Sequence, residues 1–127
     1  MQRMRSFLGL TAGALMLISG GAHSFFGWKI QRDALRAANA PADLIRTLGF
    51  GWHFGGVAML AFGCMVISLF SKGPKAFMPL TPSVVIATTY LTFGFGAMLV
   101  SRFDPFFLVF VVPGVLLLLA TFPRRPA

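Results

Sequence analysis

Acidic side chains are nearly missing from this chain, which has three aspartates and no glutamate in 127 residues. Charged residues of both signs make up only 11% of the sequence, less than half of the roughly 25% usual in soluble domains. A chain of this length buries only about two-thirds of the surface its unfolded form exposes. So few polar side chains cannot coat the remainder, so a soluble monomer is excluded. A disordered chain is excluded too, because 57% of the residues are apolar. Cysteine occurs once, as Cys64. A single thiol rules out a disulfide-built fold and says nothing about redox compartment, and Cys64 reads as a small packing residue. There is no phosphate loop, no nucleophile–base–acid set and no close pair of carboxylates. No catalysis by the chain itself is expected.

What is present is long, uninterrupted hydrophobicity, with a mean hydropathy of +0.81. Four runs, about 6–28, 47–71, 80–101 and 105–123, approach or exceed the ~20 apolar residues needed to cross a bilayer. They are continuous, whereas a membrane β-barrel would show alternating segments of about ten residues. The chain is therefore predicted to be an all-α membrane protein, a single four-transmembrane-helix bundle over residues 1–127. Thr81-Pro82 and Asp104-Pro105 each place a capping side chain before a proline suited to a first helical turn. Pro113 removes a backbone bond to Val109 inside the fourth span and predicts a kink. Trp28 and Trp52 stand where interfacial aromatics are expected. Arg3, Arg5, the run Phe7–Ile18 and Ala22-His23-Ser24 also resemble a secretory signal with a small-x-small cleavage site. The uncharged stretch continues to Trp28, however, and a retained helix is expected.

Eleven bases against three acids give a net charge of +8. In a soluble protein this would suggest nucleic acid, but removing the apolar runs leaves no basic domain, so no nucleic-acid partner is expected. The bases instead bracket the spans, where they meet lipid headgroups. Arg3, Arg5, Lys72, Lys75, Arg124 and Arg125 fall on the side of the termini. Lys29, Arg32, Arg36, Arg46 and Arg102 fall on the other. Six against five places both termini in the cytoplasm by the positive-inside rule. Between the first two spans, 29–46 is rich in helix formers, and a short interfacial helical segment is expected there. Membrane lipids are the expected partners, with another membrane protein or a second copy of the chain as further possibilities.

Ionisable groups within a membrane are costly and are the natural place to look for function. His23 and His53 fall at similar depth on two helices joined by one loop, so their imidazoles can face one another. Gly20 and Gly27 share the helix face of His23, and Gly49, Gly56 and Gly63 share that of His53. Gly9/Gly13 and Gly51/Gly55 also have the four-residue spacing of closely packed membrane helices. Asp104 and Arg102, between the last two spans, lie on the same side of the membrane, with Trp52 and Tyr90 completing a possible polar site. Three readings follow. The glycines pack helices and the histidines hydrogen-bond across them, with no cofactor. Alternatively, His23 and His53 ligate a b-type haem or a metal ion. Or His23, His53 and Asp104 form a proton-sensitive small-molecule or transport site, with Thr88, Thr89, Tyr90 and Thr92 as a polar track.

The stretches GGAHSFFGW, PADLIRTLGFGWHFGGVAMLAFG and SRFDPFFLVFVVPGVLLLLA resemble small four-helix bacterial membrane proteins of unassigned function. The layout is loosely similar to DoxX-like proteins, which carry a glycine-flanked polar residue near the end of the first helix. That likeness does not extend through the third and fourth helices, so no redox or sulfur-related role carries over. The resemblance implies a bacterial inner membrane, and a structural or accessory role is expected.

Overall fold

A computed structural model describes residues 2–71 and 80–121. Lys72, Lys75, Arg124, Arg125 and the expected end of the last span at Pro123 lie outside the described residues. Helix α1 (Gln2–Ala22) passes through a five-residue π-helical turn (His23–Gly27) directly into α2 (Trp28–Ala37). The polar stretch expected as a separate surface helix is thus largely a continuation of the first span, which runs unbroken from Arg3 to Ala37. Its sequence explains this, since residues 28–37 contain neither glycine nor proline and are mostly good helix formers. The rod stops at Asn39, whose φ of 56° reverses the chain. Asn39 N–H then donates to the Arg36 carbonyl and Ala40 N–H to that of Leu35, the bonding pattern of a left-handed helix cap.

Helix α3 (Ala42–Ser71) follows after Pro41, and α4 covers Leu80–Val100. Thr81, expected just ahead of this helix, lies inside its first turn. The connection to the last helix holds Arg102 and Phe103 at φ of 57° and 65°. Asp104 then caps a short 3₁₀ turn (Pro105–Phe107) by accepting the Phe106 N–H at 2.9 Å, as its place before Pro105 predicted. Helix α5 (Leu108–Thr121) carries Pro113 buried within it. Among the described residues all regular structure is helical, and three helices are long and apolar enough to cross a membrane. The fourth apolar segment, Pro105–Thr121, is shorter.

The helices are arranged in the order α3, α1, α5, α4. Extensive interfaces join α1 with α3, α1 with α5, and α4 with α5, but α3 and α4 share none of comparable extent. Ala12, Met16, Val66, Ala87, Leu117 and Ala120 form the fully buried centre.

The α1–α3 interface rests on two glycine rows with a seven-residue interval, which is close to two helical turns and keeps a row on one face. Gly13 and Gly20 on α1 and Gly27 at the end of the π-helical turn form one row, and Gly63, Gly56 and Gly49 on α3 form the other. A β-carbon at Gly13 would lie 3.2 Å from the Gly63 carbonyl oxygen, and one at Gly20 would lie 3.1 Å from that of Gly56. These backbones approach too closely for ordinary side chains, and in lipid that contact replaces the hydrophobic drive available in water. Gly51 and Gly55, with similar spacing, do not pack against a helix. Gly51 has nothing within 4 Å, and Gly55 meets only the His23 ring at 3.5 Å.

The α1–α5 interface is closed by a charge. Arg5 Nε donates to the Ala120 carbonyl at 2.8 Å, and Nη2 to that of Thr121 at 3.1 Å. A guanidinium thus serves the last carbonyls of α5, where the helix dipole favours a cation. The expected result for Arg5→Ala is a loss of about 1.5–3 kcal/mol, the scale for hydrogen bonds to a charged group. Arg5→Lys should retain part of it, and thermal unfolding of the detergent-solubilised protein checks both.

Candidate functional site: a lateral groove beside a four-ring row

The π-helical turn sets the geometry here. The His23 carbonyl accepts the backbone N–H of Trp28, five residues on, and also the indole Nε1–H of Trp52 at 2.7 Å. Trp52 thereby ties α3 to the widened turn of α1, and such turns inside helices occur frequently at functional sites. The same indole stacks on the His23 imidazole, with centroids 4.5 Å apart and planes 2° from parallel. Trp28 lies 6.2 Å from Trp52, and its far side meets the edge of His53 at 5.9 Å. The order is His23, Trp52, Trp28, His53.

The expectation that the two imidazoles face each other is therefore corrected. Trp52 and His53 are consecutive and point about 100° apart on the helix. With Trp52 directed at α1, His53 turns outward and is exposed. Gly27 and Gly49 serve these rings. A β-carbon at Gly27 would meet Trp52 at 3.1 Å, and one at Gly49 would meet Trp28 at 2.8 Å. Each indole thus sits on a glycine of the opposite helix.

Because α3 and α4 share no extensive interface, a groove of about 560 Å³ opens between them. On α3 it is lined by a smooth strip of Thr47, Gly51, Gly55 and Ala58, with Thr89, Tyr90 and Phe93 on the opposite wall. His23, Leu48, Trp52, Met59, Phe62 and Phe110 complete the lining. A second cavity of about 190 Å³ shares His23, Met59 and Phe110 with it and continues toward Ser19 and Phe106. His23, half-buried, therefore borders both spaces. Tyr90 is 3% exposed, and its hydroxyl is buried without a hydrogen-bond partner, with its ring packed beside Phe62 and Phe110.

The other expected residues stand elsewhere. Asp104 and Arg102 are exposed in the α4–α5 connection and do not line the groove. Of the threonine track, Thr88 and Thr92 lie on the outer face of α4 away from the groove, while Thr89 borders both that face and the groove and donates to its own helix at the Val85 carbonyl. Cys64 is exposed, not a buried packing residue. Among the described residues, no three of His, Cys, Asp or Glu gather where they could hold a metal ion.

Arg5 and the Trp52–His23 tie had no visible signal in the sequence, since only tertiary contact reveals a long-range bond to a carbonyl. The role of Gly13 did have one, namely its seven-residue spacing from Gly20.

Fold and groove together define a protein helical throughout its described regular structure, with three helices long and apolar enough to cross a membrane and an apolar cleft beside the second. Comparison of the chain with protein-family models, curated proteins and solved structures finds no match.

Proposed function

We propose that the chain is a four-span integral membrane protein of a bacterial cytoplasmic membrane, with both termini cytoplasmic, serving as a structural or accessory component without catalysis of its own. The observation that carries the membrane reading is the apolar outer surface. Phe7, Ile18, Phe25, Phe54, Val57 and Val100 are each more than 60% exposed, on helices whose backbones are held together at glycine. Soluble monomers rarely show such a surface, and lipid solvates it. The fourth span is supported by sequence, because the apolar run that starts at Pro105 continues to Pro123. The bacterial setting is what the resemblance implies. A haem or metal bridging His23 and His53 gains no support from the ring row, in which each imidazole is engaged by an indole of the other helix.

Cys64 provides the test. It lies on the outer face of α3, seven residues from the helix end at Ser71 and far from the opposite end at Ala42. In intact membranes a charged maleimide should leave it unlabelled, while full labelling follows denaturation. Rapid labelling in intact membranes would count against the assignment. A C-terminal reporter active only outside the cytoplasm would reverse the orientation.

A further inference from the structure

We infer that the groove between α3 and α4 is a lipid site that holds one acyl chain of a phospholipid from the leaflet on the Trp28–Trp52 side. The inference rests on the membrane reading above. Three features of the groove select this occupant.

The first is direction. The groove's α3 wall runs from Thr47 to Phe62, fifteen residues or roughly 22 Å along the helix axis. It therefore follows the helices, as an acyl chain does, and is long enough for the roughly 15 Å of hydrocarbon in one leaflet. The second is its lining. Gly51 and Gly55 remove side chains from the middle of the α3 wall, Phe62 closes its inner end, and Phe93 and Phe110 supply apolar surface opposite. The Tyr90 hydroxyl is itself buried, so the groove offers a ligand aromatic carbon there and almost nothing polar. The third is charge at the outer end. Arg46 directly precedes Thr47, is largely exposed, and pairs with Asp43 at 2.6 Å. Lys29, Arg32, Arg36 and Arg102 outnumber Asp33, Asp43 and Asp104 on the same side, which suits a phosphate at headgroup level. The groove also opens sideways, so a lipid enters from the bilayer without passing through water.

Trp52 reports on occupancy because it lines the groove, whereas Trp28 does not. The probe is phosphatidylcholine brominated near the middle of its chains, since bromine quenches indole emission at close range. A Trp28→Phe variant, which leaves Trp52 as the single tryptophan, is reconstituted in vesicles of this lipid and of the unbrominated lipid. Gly51→Leu in that background plugs the groove, and nothing within 4 Å of Gly51 obstructs the new side chain. Gly96→Leu is the control, because Gly96 is equally unobstructed but lies outside the groove.

Bromolipid should quench Trp52 in the parent and in the Gly96→Leu variant, and Gly51→Leu should abolish most of that quenching. Equal quenching in all three, or none in the parent, would overturn the acyl-chain site. The chain without the Trp28 change supplies a second readout that does not depend on that variant folding. Native mass spectrometry should show one retained phospholipid that is lost on Gly51→Leu and kept on Gly96→Leu. Retention unaffected by Gly51→Leu, or no retained lipid, would also count against the site. Failure of the membrane reading itself would look different, as the protein would not partition into vesicles at all.

Discussion

Gly56→Leu should cost the protein at least about 3 kcal/mol, the upper part of the range for forcing volume into a packed interior, whereas Gly51→Leu on the same helix should change stability by no more than about 0.5 kcal/mol. The contrast follows from where each glycine points. A β-carbon at Gly56 would overlap the Ser24 hydroxyl and lie 3.2 Å from the Gly20 carbonyl oxygen. The hydroxyl can rotate away, but the carbonyl belongs to helix backbone and cannot. A leucine there must drive α1 and α3 apart, and the adjoining contacts at Gly13–Gly63 and Trp52–Gly27 are strained with them. At Gly51 the same side chain enters the open groove. Circular dichroism during thermal unfolding in detergent measures both variants. Similar losses for the two would show that the glycine rows do not set the helix separation.

That pair of glycines also shows how far the sequence could be read. The apolar runs marked the long helices because lipid demands continuous hydrophobicity, and they marked them well. Asp104 was legible as a cap because capping depends on neighbours one and two residues away. The end of the first helix was less so. Polarity suggested a break near Lys29, but a helix backbone stops where a residue such as Asn39 can turn it, so α2 continues the rod into polar sequence. Glycine spacing alone could not say whether Gly51/Gly55 or Gly49/Gly56 faced the neighbouring helix. Both rows exist on α3, and the choice is made by the ring partners Trp28 and Trp52, which seat on Gly49 and Gly27. For the site, counting residues brings His23 and His53 to neighbouring levels of two helices but cannot say what stands between them, because direction depends on rotation about the helix axis, and the indoles of Trp52 and Trp28 lie between the two rings. The groove was invisible in sequence, since it arises where two helices share no extensive interface.

Trp52 is the second position where a large effect is expected, and its contributions can be separated by substitution. Trp52→Ala removes the indole from Gly27, the stack on His23 and the bond to the His23 carbonyl. A loss of about 3–5 kcal/mol is expected, as for other aromatic-to-alanine changes in packed sites. Trp52→Phe keeps most of the apolar body and a ring able to stack, but it lacks the N–H. The carbonyl it abandons still accepts the Trp28 N–H, so no polar group is orphaned, and the hydrogen-bond share of the loss should stay near 1 kcal/mol. His23→Ala leaves that bond in place, because the acceptor is backbone, and should remove the stacking contribution of about 0.5–1.5 kcal/mol. The ordering Trp52→Ala well above Trp52→Phe and His23→Ala is therefore the signature of an indole that works chiefly as a wedge between α1 and α3. Thermal unfolding of the three variants in one detergent tests it. If Trp52→Phe proves as damaging as Trp52→Ala, the tie to the His23 carbonyl dominates instead, and the π-helical turn depends on that single donor for its stability.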